Sequence, residues 1–384
     1  MLLSKGLEIE IYTGTQQGDI VGFSEQIVKD LNGFVREPDN RNVEYTTAPI
    51  CNYDRLLCAI LRPRKDLRHY LKTLGDYTLI PGSTLSLGNS KRFFRSDPQN
   101  PYHDYIEQTY GSKVVTASIH INIGINDPEK LMQACRLIRV EAPLFLALSA
   151  SSPFLDGEIT GYHSSRWHLF PQTPDYVPLF KNHSHFINWI ESQLQLGTMQ
   201  NVRHLWCSVR PNGDNRPYNL NRLELRICDL LLNPIHLLAI AALLEARIWQ
   251  VLEDERLDPL WQSRLRKDHL ERELLAITKH NEQEACRDSL NAKLCHWQDG
   301  REIMAQDWLI QLTQEVLPMA KKRGFACFLT PIQNMIRQGS QAQQWLQKYE
   351  RGMSVRQIIQ EAINTSYLEE KDLEEKLCQQ IIAA

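Results

Sequence analysis

The chain has 384 residues, of which 42% are hydrophobic and 23% charged, and its formal net charge is −3. This length allows one large domain or two smaller ones, and the balanced charge argues against a general nucleic-acid binder. Charges at Lys5, Glu8 and Glu10 argue against a secretory leader. The longest apolar stretches, near 144–150 and 234–246, look shorter than a membrane span. The sequence therefore predicts a soluble, cytoplasmic protein without a membrane or nucleic-acid partner.

The nine cysteines are odd in number and include no C-x-x-C pair. This pattern excludes a zinc ribbon and a thioredoxin-type motif, and it favours reduced, mostly buried thiols over a disulfide framework. A single regulatory disulfide stays open.

In chain order, the first 230 residues or so mix strands, helices and turns. Strands are predicted at 7–12, 43–47, 116–125, 204–211 and 221–229, and helices at 54–75 and after Asn126. Residues 149–178 form a long loop rich in serine, glycine, proline and aromatic residues, and such loops often carry function. From Asn233 the pattern is helical to the end. We expect a catalytic sheet region at 1–232 and a mostly helical part at 233–384 that packs on the same domain.

Four of the predicted strands carry ionisable groups on one face only, because side chains alternate along a strand. The polar positions are Glu8 and Glu10, Glu44, His120 with Asn122, and Glu224 with Arg226, and the intervening positions are mostly Leu or Ile. An antiparallel sheet with one solvated face would explain any one of these strands. As a set they are unusual, since glutamate is depleted in strands and no cation separates Glu8 from Glu10.

If these strands share a sheet, their carboxylates crowd around His120 and repel one another unless a cation is present. Oxygen-rich ligation selects Mg²⁺, Mn²⁺ or Ca²⁺ over zinc, and Mg²⁺ commonly bridges to substrate phosphates. A guanidinium such as that of Arg226 suits phosphate. The pattern predicts a sheet face that binds a metal–nucleotide complex. No P-loop, G-x-G-x-x-G, G-x-S-x-G, H-E-x-x-H or kinase signature competes with it.

Five segments, in this order, resemble the glutamate–cysteine ligase family, particularly its plant, cyanobacterial and bacterial carboxylate–amine ligase branches. They are GLEIE at 6–10, VEYTTAP at 43–49, SIHINIGI at 118–125, SASSPFLDGEITGYHSSR at 149–166, and VRPN with NRLELRICD at 209–229. The serine-rich segment at 149–166 is the most specific of them.

The resemblance implies an α+β, glutamine-synthetase-like fold, with a curved antiparallel sheet, helices on its outer face and a helical C-terminal region. It implies ATP with Mg²⁺ (or Mn²⁺), and the joining of L-glutamate to L-cysteine through γ-glutamyl phosphate, the first step of glutathione biosynthesis. By residue, it implies metal binding by Glu8, Glu10, Glu44, His120 and Glu224, phosphate binding and catalysis by Arg226, and substrate binding by Arg166, Arg210 and Asn122.

Two alternatives stay open. The same fold could join a different carboxylate and amine, because only the substrate pocket would change. A regulatory relative without catalysis could also keep the fold. The oligomeric state is left undetermined.

Overall fold

A mixed sheet-and-helix architecture is seen in the computed structural model, which describes residues 2–383, with side chains through Leu377. Over these residues the strands are β1 (Lys5–Thr15), β2 (Phe34–Arg36), β3 (Asn42–Thr46), β4 (Tyr77–Ile80), β5 (Ile119–Gly124), β6 (Phe154–Leu155), β7 (Glu158–Ile159), β8 (Val209–Asn212), β9 (Arg222–Leu225), β10 (Lys293–Cys295) and β11 (Glu302–Met304). Seven of them form one antiparallel sheet in the order β2-β3-β1-β5-β9-β8, with β4 paired to the far end of β1. The other four form two short hairpins.

The helices within the same described residues are α1 (Ser24–Asp30), α2 (Tyr53–Leu74), α3 (Pro101–Tyr110), α4 (Pro128–Ser149), α5 (Ser165–Leu169), α6 (His183–Leu196), α7 (Pro234–Glu253), α8 (Pro259–Gln262), α9 (Leu270–Asp288), α10 (Ala305–Arg323), α11 (Thr330–Gln338), α12 (Gln341–Glu350) and α13 (Val355–Ala383). Helix α4 packs on β8 and β9, and α7 packs on α4, α2 and α10. The predicted fold class is confirmed.

The alternation read from the sequence separates the two faces of the sheet. Leu7, Ile9 and Ile11 of β1 are at most 1% exposed, because their face packs into the core. On the other face, Glu10 lies opposite Glu44 of β3, and Glu8 lies opposite His120 of β5. A slip of one residue would exchange these faces, so burial of the apolar side fixes the register of the polar one.

The C-terminal part contains a hairpin where the sequence pattern predicted only helix. Strands β10 and β11 pair through a turn that includes Asp299 and Gly300. Gly300 has a φ of +74°, a left-handed conformation that glycine adopts without steric cost. The Asp-Gly pair was the available signal for this turn, and the helical periodicity on either side obscured it.

Helix α7 is longer than the apolar stretch at 234–246 suggested. Its 20 residues are long and apolar enough to cross a membrane by length and composition, but 72% of its most apolar window is buried. It is therefore a core helix, and its caps agree with that role: Asn233 accepts hydrogen bonds from the first turn, and Pro234 follows.

Eight cysteines have described side chains, and all eight are free thiols. Cys135, Cys207, Cys228 and Cys286 are buried, Cys295 is half-buried, and three others are exposed. Cys378 lies outside the described side chains.

Ion pairs cross the expected boundary between 232 and 233. Buried Lys5 donates to Glu245 of α7 over 2.7 Å. In a second such contact, Glu370 of α13 accepts from Arg64 at 3.3 Å and from Arg68 at 3.0 Å. Arg64 is fully buried and also donates to the carbonyl oxygens of residues 231 and 232. These contacts fasten the last helix to α2.

Glu370→Ala should lower the free energy of unfolding by about 3 kcal/mol, because it leaves two buried guanidinium groups without their counter-ion. Denaturant unfolding measures the change. Glu374→Ala is the matched control on the same helix, since its partner Lys65 is 63% exposed and such pairs contribute under about 1 kcal/mol. Equal losses in the two variants would contradict the role given to Glu370.

Candidate functional site

The polar face of the sheet forms the floor of a cavity of about 670 Å³. Acidic and basic side chains line it in an unusual density. The acids are Glu8, Glu10, Glu37, Glu44 and Asp97, and the bases include Arg36, Arg166, Arg203, Arg210, Arg216, Arg222 and Arg226. A cavity with both signs of charge in close contact suits a substrate that carries phosphates together with metal ions.

His120 lies at the centre of two groups of possible metal ligands. The first group is Glu8, His120 and Glu224, and the second is Glu10, Glu44 and His120. Within each group the ligand atoms lie within 4.8 Å of one another. All five residues predicted as metal ligands are thus brought together by β1, β3, β5 and β9.

The hydrogen bonds around His120 place its ring Nδ1 against a carboxylate oxygen. The Ser118 hydroxyl donates to Glu10 Oε2 at 2.8 Å, so it can only accept from His120 Nε2 at 3.1 Å. His120 Nδ1 then lies 2.9 Å from Glu8 Oε2, and two lone pairs at that distance repel. A proton or a metal cation must lie between them. Although burial and Glu224 raise the pKa of Glu8, His120 and Arg226 hold it below its usual value.

Uncompensated negative charge remains at the β2–β3 side of the cavity. Burial raises the pKa of Glu44 well above its usual value, and repulsion from Glu37, Glu8 and Glu10 adds to the effect. Burial likewise raises the pKa of Glu37, and repulsion from Glu10 is the largest contribution of a neighbouring charge in the same direction. Carboxylates crowded in this way fit a divalent cation, which would remove the repulsion. The donor set, oxygen-rich with one imidazole, agrees with Mg²⁺ or Mn²⁺.

Three residues donate hydrogen bonds to the carboxylate of Glu224. Its Oε2 accepts from Arg210 Nε and from Asn212 Nδ2, both at 2.7 Å, and its Oε1 accepts from Arg210 Nη2 at 3.1 Å and from Arg226. Despite full burial, Arg210 and Arg226 hold the pKa of Glu224 well below its usual value. The guanidinium of Arg210, which is predicted to bind the substrate, also donates to the carbonyl oxygens of residues 203 and 205.

Arg226 keeps N–H groups for a ligand. Its Nη1 bonds Glu224 and lies 3.5 Å from His120 Nδ1. Among the described residues, no protein group accepts from its Nε or Nη2. Arg216 nearby has a buried Nη1 without a hydrogen-bond partner in the described part of the chain, and burial together with Arg210 lowers its pKa to about 10. This wall of the cavity carries excess positive charge.

Arg166 lies deeper, 2% exposed, where burial lowers its pKa. Its Nη1 and Nη2 donate to the carbonyl oxygens of Ile227 and Arg226, at 2.9 and 2.8 Å. Its Nε is buried without a hydrogen-bond partner in the described part of the chain. Arg166 therefore keeps N–H groups for a ligand while the backbone of the β9 segment holds its orientation.

Asn122 lines a second, smaller cavity of about 460 Å³. Its Nδ2 donates to Glu8 Oε1 at 3.1 Å, and its buried Oδ1 has no partner among the described residues. The smaller cavity shares Glu8, Thr46 and Arg222 with the larger one, and the rest of its lining is mostly polar residues and glycines. The two cavities meet beside the carboxylate of Glu8.

Aromatic rings form one end of the larger cavity. Tyr102, Phe170 and Trp206 line it, and the Phe170 and Trp206 ring centroids are 5.3 Å apart. The guanidinium carbon of Arg166 lies 6.0 Å from the Phe170 ring. A carboxylate on Arg166 would therefore have an apolar surface beside it.

Several lining residues went unrecognised in the sequence, among them Glu37, Arg203, Arg216 and Asn212. Glu37 and Arg216 lie in irregular segments and Arg203 in a 3₁₀ helix of three residues, where no alternation assigns a face. Asn212 ends β8, two residues after Arg210, and that spacing could have placed it on the polar face.

Comparison with known proteins now bears on these features. The family model described as glutamate–cysteine ligase family 2 matches residues 4–369. The chain belongs to this family. The predicted resemblance is confirmed, and membership in glutamate–cysteine ligase family 2 places the chain among carboxylate–amine ligases.

Individual relatives are distant. A Rubrobacter xylanophilus protein with the provisional name glutamate–cysteine ligase 2-1 is 25% identical over 360 residues, which cover 90% of each chain. A Sorangium cellulosum protein with the provisional name glutamate–cysteine ligase 2 is 27% identical over 342 residues, covering 88% of this chain and 87% of that one.

Solved structures share the fold of this family member. Glutamate–cysteine ligase from Francisella tularensis, in complex with AMP, matches with a TM-score of 0.74 at 13% identity, covering 100% of this chain and 94% of its own. A bifunctional glutathione synthetase from Pasteurella multocida also matches with a TM-score of 0.74, at 14% identity, covering 96% of this chain and 53% of that one.

Proposed function

We propose that the protein is an ATP-dependent ligase that joins the γ-carboxylate of L-glutamate to the amine of L-cysteine. The observation that carries the proposal is the single cavity in which a carboxylate–histidine cluster faces Arg226 and its neighbours. The family supports the reaction class, and the AMP bound to the Francisella tularensis ligase supports a nucleotide substrate.

Mg²⁺ fits the donor set of Glu8, Glu10, Glu44, His120 and Glu224, and when bound it would neutralise phosphate charge. The 2.9 Å approach of His120 Nδ1 to Glu8 Oε2 supports this assignment, and so does the crowding of Glu37 with Glu44. Glu224 would bind Mg²⁺ and would also accept the hydrogen bond from Arg226.

In the proposed reaction, the glutamate γ-carboxylate attacks the γ-phosphorus of ATP, and ADP leaves. The cysteine amine then attacks the resulting acyl phosphate, and inorganic phosphate leaves with loss of the amine proton. The protein contributes positioning and electrostatics in place of covalent catalysis. Arg226, fixed by Glu224, would bind the phosphoryl oxygens through its Nε and Nη2 groups, and Arg166 would bind the substrate α-carboxylate.

We assign the adenosine end of ATP to the smaller cavity. Its polar lining residues offer hydrogen bonds, and Asn122 presents a buried acceptor that no group of the described residues satisfies. The phosphates would then reach the larger cavity at Glu8, where the two spaces meet. In this arrangement the reacting atoms lie over the sheet.

A second candidate is the same reaction with a bulkier amine. Tyr102, Phe170 and Trp206 supply an apolar wall larger than a cysteine side chain requires. A pocket of this kind rejects a smaller substrate only weakly, so discrimination would be modest.

ADP release with ATP, Mg²⁺ and L-glutamate, with and without L-cysteine, tests the proposal, and mass analysis identifies the product. We expect cysteine-dependent release and a γ-glutamylcysteine mass. Faster turnover with an apolar amine would favour the second candidate. Nucleotide binding without turnover for any acid and amine pair would point to a non-catalytic protein. Omission of divalent cation is the control.

A further inference from the structure

Asp229 is fully buried just beyond the end of β9 and contacts both ends of the serine-rich segment at 149–166. Its Oδ2 accepts from the Ser152 hydroxyl at 2.7 Å and from the Ser151 backbone N–H at 2.9 Å. Its Oδ1 accepts from the Ser164 hydroxyl at 2.8 Å. One carboxylate therefore closes a loop whose ends are more than ten residues apart in sequence.

This loop ends at Arg166. The Arg166 backbone N–H donates to the Ser152 hydroxyl at 3.2 Å, so the same serine contacts both Asp229 and Arg166. Arg166 Nη1 also lies 3.6 Å from Asp229 Oδ1. In the part of the chain that the structure describes, Asp229 is the one acidic side chain within ion-pairing distance of Arg166.

Burial makes this counter-ion important. A guanidinium that is 2% exposed has little solvent to stabilise its charge, and its two hydrogen-bonded carbonyl oxygens carry only partial charges. Without Asp229, the Arg166 guanidinium would be stabilised by turning toward other acids of the cavity. The charge of Glu10 already favours the charged form of Arg166. Such a turn would displace the N–H groups that remain open to a ligand.

We propose that Asp229 is a positioning residue for the acid substrate: through Ser152, Ser164 and its own charge it holds Arg166 in the orientation that receives the substrate carboxylate. This inference rests on the proposed function. The serine-rich segment at 149–166 and the RICD residues at 226–229 each supply half of this hydrogen-bond network.

The test compares Asp229→Asn with Asp258→Asn. Asp258 is a matched control because it is 1% exposed and accepts from buried Arg136 Nε at 3.0 Å, but it lines neither cavity of the site. We expect Asp229→Asn to raise the KM for L-glutamate about tenfold or more, with the KM for ATP changed less than about twofold. Asp258→Asn should lower thermal stability and leave both KM values near those of the wild type. Ser152→Ala, a milder change, should raise the KM for L-glutamate in the same direction.

Equal changes in the KM for L-glutamate and for ATP in Asp229→Asn, or an unchanged KM for L-glutamate, would overturn the inference. A crystal structure of Asp229→Asn provides a readout that does not depend on activity. Arg166 should leave the carbonyl oxygens of residues 226 and 227, and an unmoved Arg166 would overturn the inference. Wild-type protein without glutamate-dependent turnover would refute the proposed function, and this structure would still decide the role of Asp229.

Discussion

Arg226→Lys is expected to lower kcat by about 100-fold, with the KM for ATP changed only a few-fold. Arg226 Nη1 bonds Glu224, and its Nε and Nη2 have no protein acceptor among the described residues. A guanidinium can hold Glu224 and a phosphoryl group at once, whereas an ammonium is a single point charge on a flexible stem. The loss should therefore concentrate in the transition state, where charge spreads over the phosphoryl oxygens. ADP release at saturating substrates measures kcat.

Arg247→Lys is the control for this variant. Arg247 is a buried arginine in α7 that pairs with Glu141 at 2.6 Å, away from both cavities. It should lose stability and keep kcat. If Arg226→Lys retained the wild-type kcat, the phosphoryl role of Arg226 would be wrong.

Glu44→Gln is expected to change activity and stability in opposite directions. Loss of a proposed Mg²⁺ ligand should lower kcat by about 100-fold or more. In the absence of divalent cations, the same variant should melt at a higher temperature than the wild type at neutral pH. The reason is that burial and repulsion from Glu37, Glu8 and Glu10 raise the pKa of Glu44 in the folded state.

The sign of the pH dependence follows from that shift. Between the usual carboxyl pKa of about 4.3 and the raised folded value, the folded protein binds more protons than the unfolded chain. Wild-type stability should therefore fall as the pH rises through this window, and the curve for Glu44→Gln should be flatter. Added Mg²⁺ should stabilise the wild type more than the variant, because binding to the folded state adds stability.

Thermal melts at several pH values, with Mg²⁺ or with EDTA, measure both effects. Glu302→Gln is the matched control, since Glu302 is an exposed glutamate in strand β11 and lines neither cavity of the site. It should change neither activity nor the response to Mg²⁺. A Glu44→Gln protein that melts below the wild type in EDTA would argue against charge repulsion at this site.

The floor of the site could be predicted from the sequence because it lies on regular strands. Alternation placed Glu8 and Glu10 on one face of their strand and His120 on the polar face of its own, and the pairing of β1 with β5 sets Glu8 opposite His120. Strand periodicity does not depend on the rest of the fold, so one chain sufficed. Burial of Leu7 and Ile9 on the opposite face then fixed that register.

Contacts that depend on irregular segments could not be predicted in the same way. The contacts of Asp229 could not be predicted, since its partners Ser152 and Ser164 come from a loop whose path no periodicity describes. Glu37 was missed for the same reason. The roles of these side chains depend on distances between segments far apart in the chain.

The fastening of α13 to α2 has a consequence for synthesis on the ribosome. Arg64 and its partner Glu370 are 306 residues apart in the chain. At about 5–20 residues per second, Glu370 emerges about 15–60 s after Arg64. Until residues 231 and 232 emerge, the Tyr45 hydroxyl is the one hydrogen-bond partner of the Arg64 guanidinium, among those in the described part of the chain, that has already been synthesised, and its counter-ion Glu370 arrives last. The nascent chain should therefore keep α2 loosely docked, and a chaperone has its longest opportunity to bind there until the last helix leaves the exit tunnel.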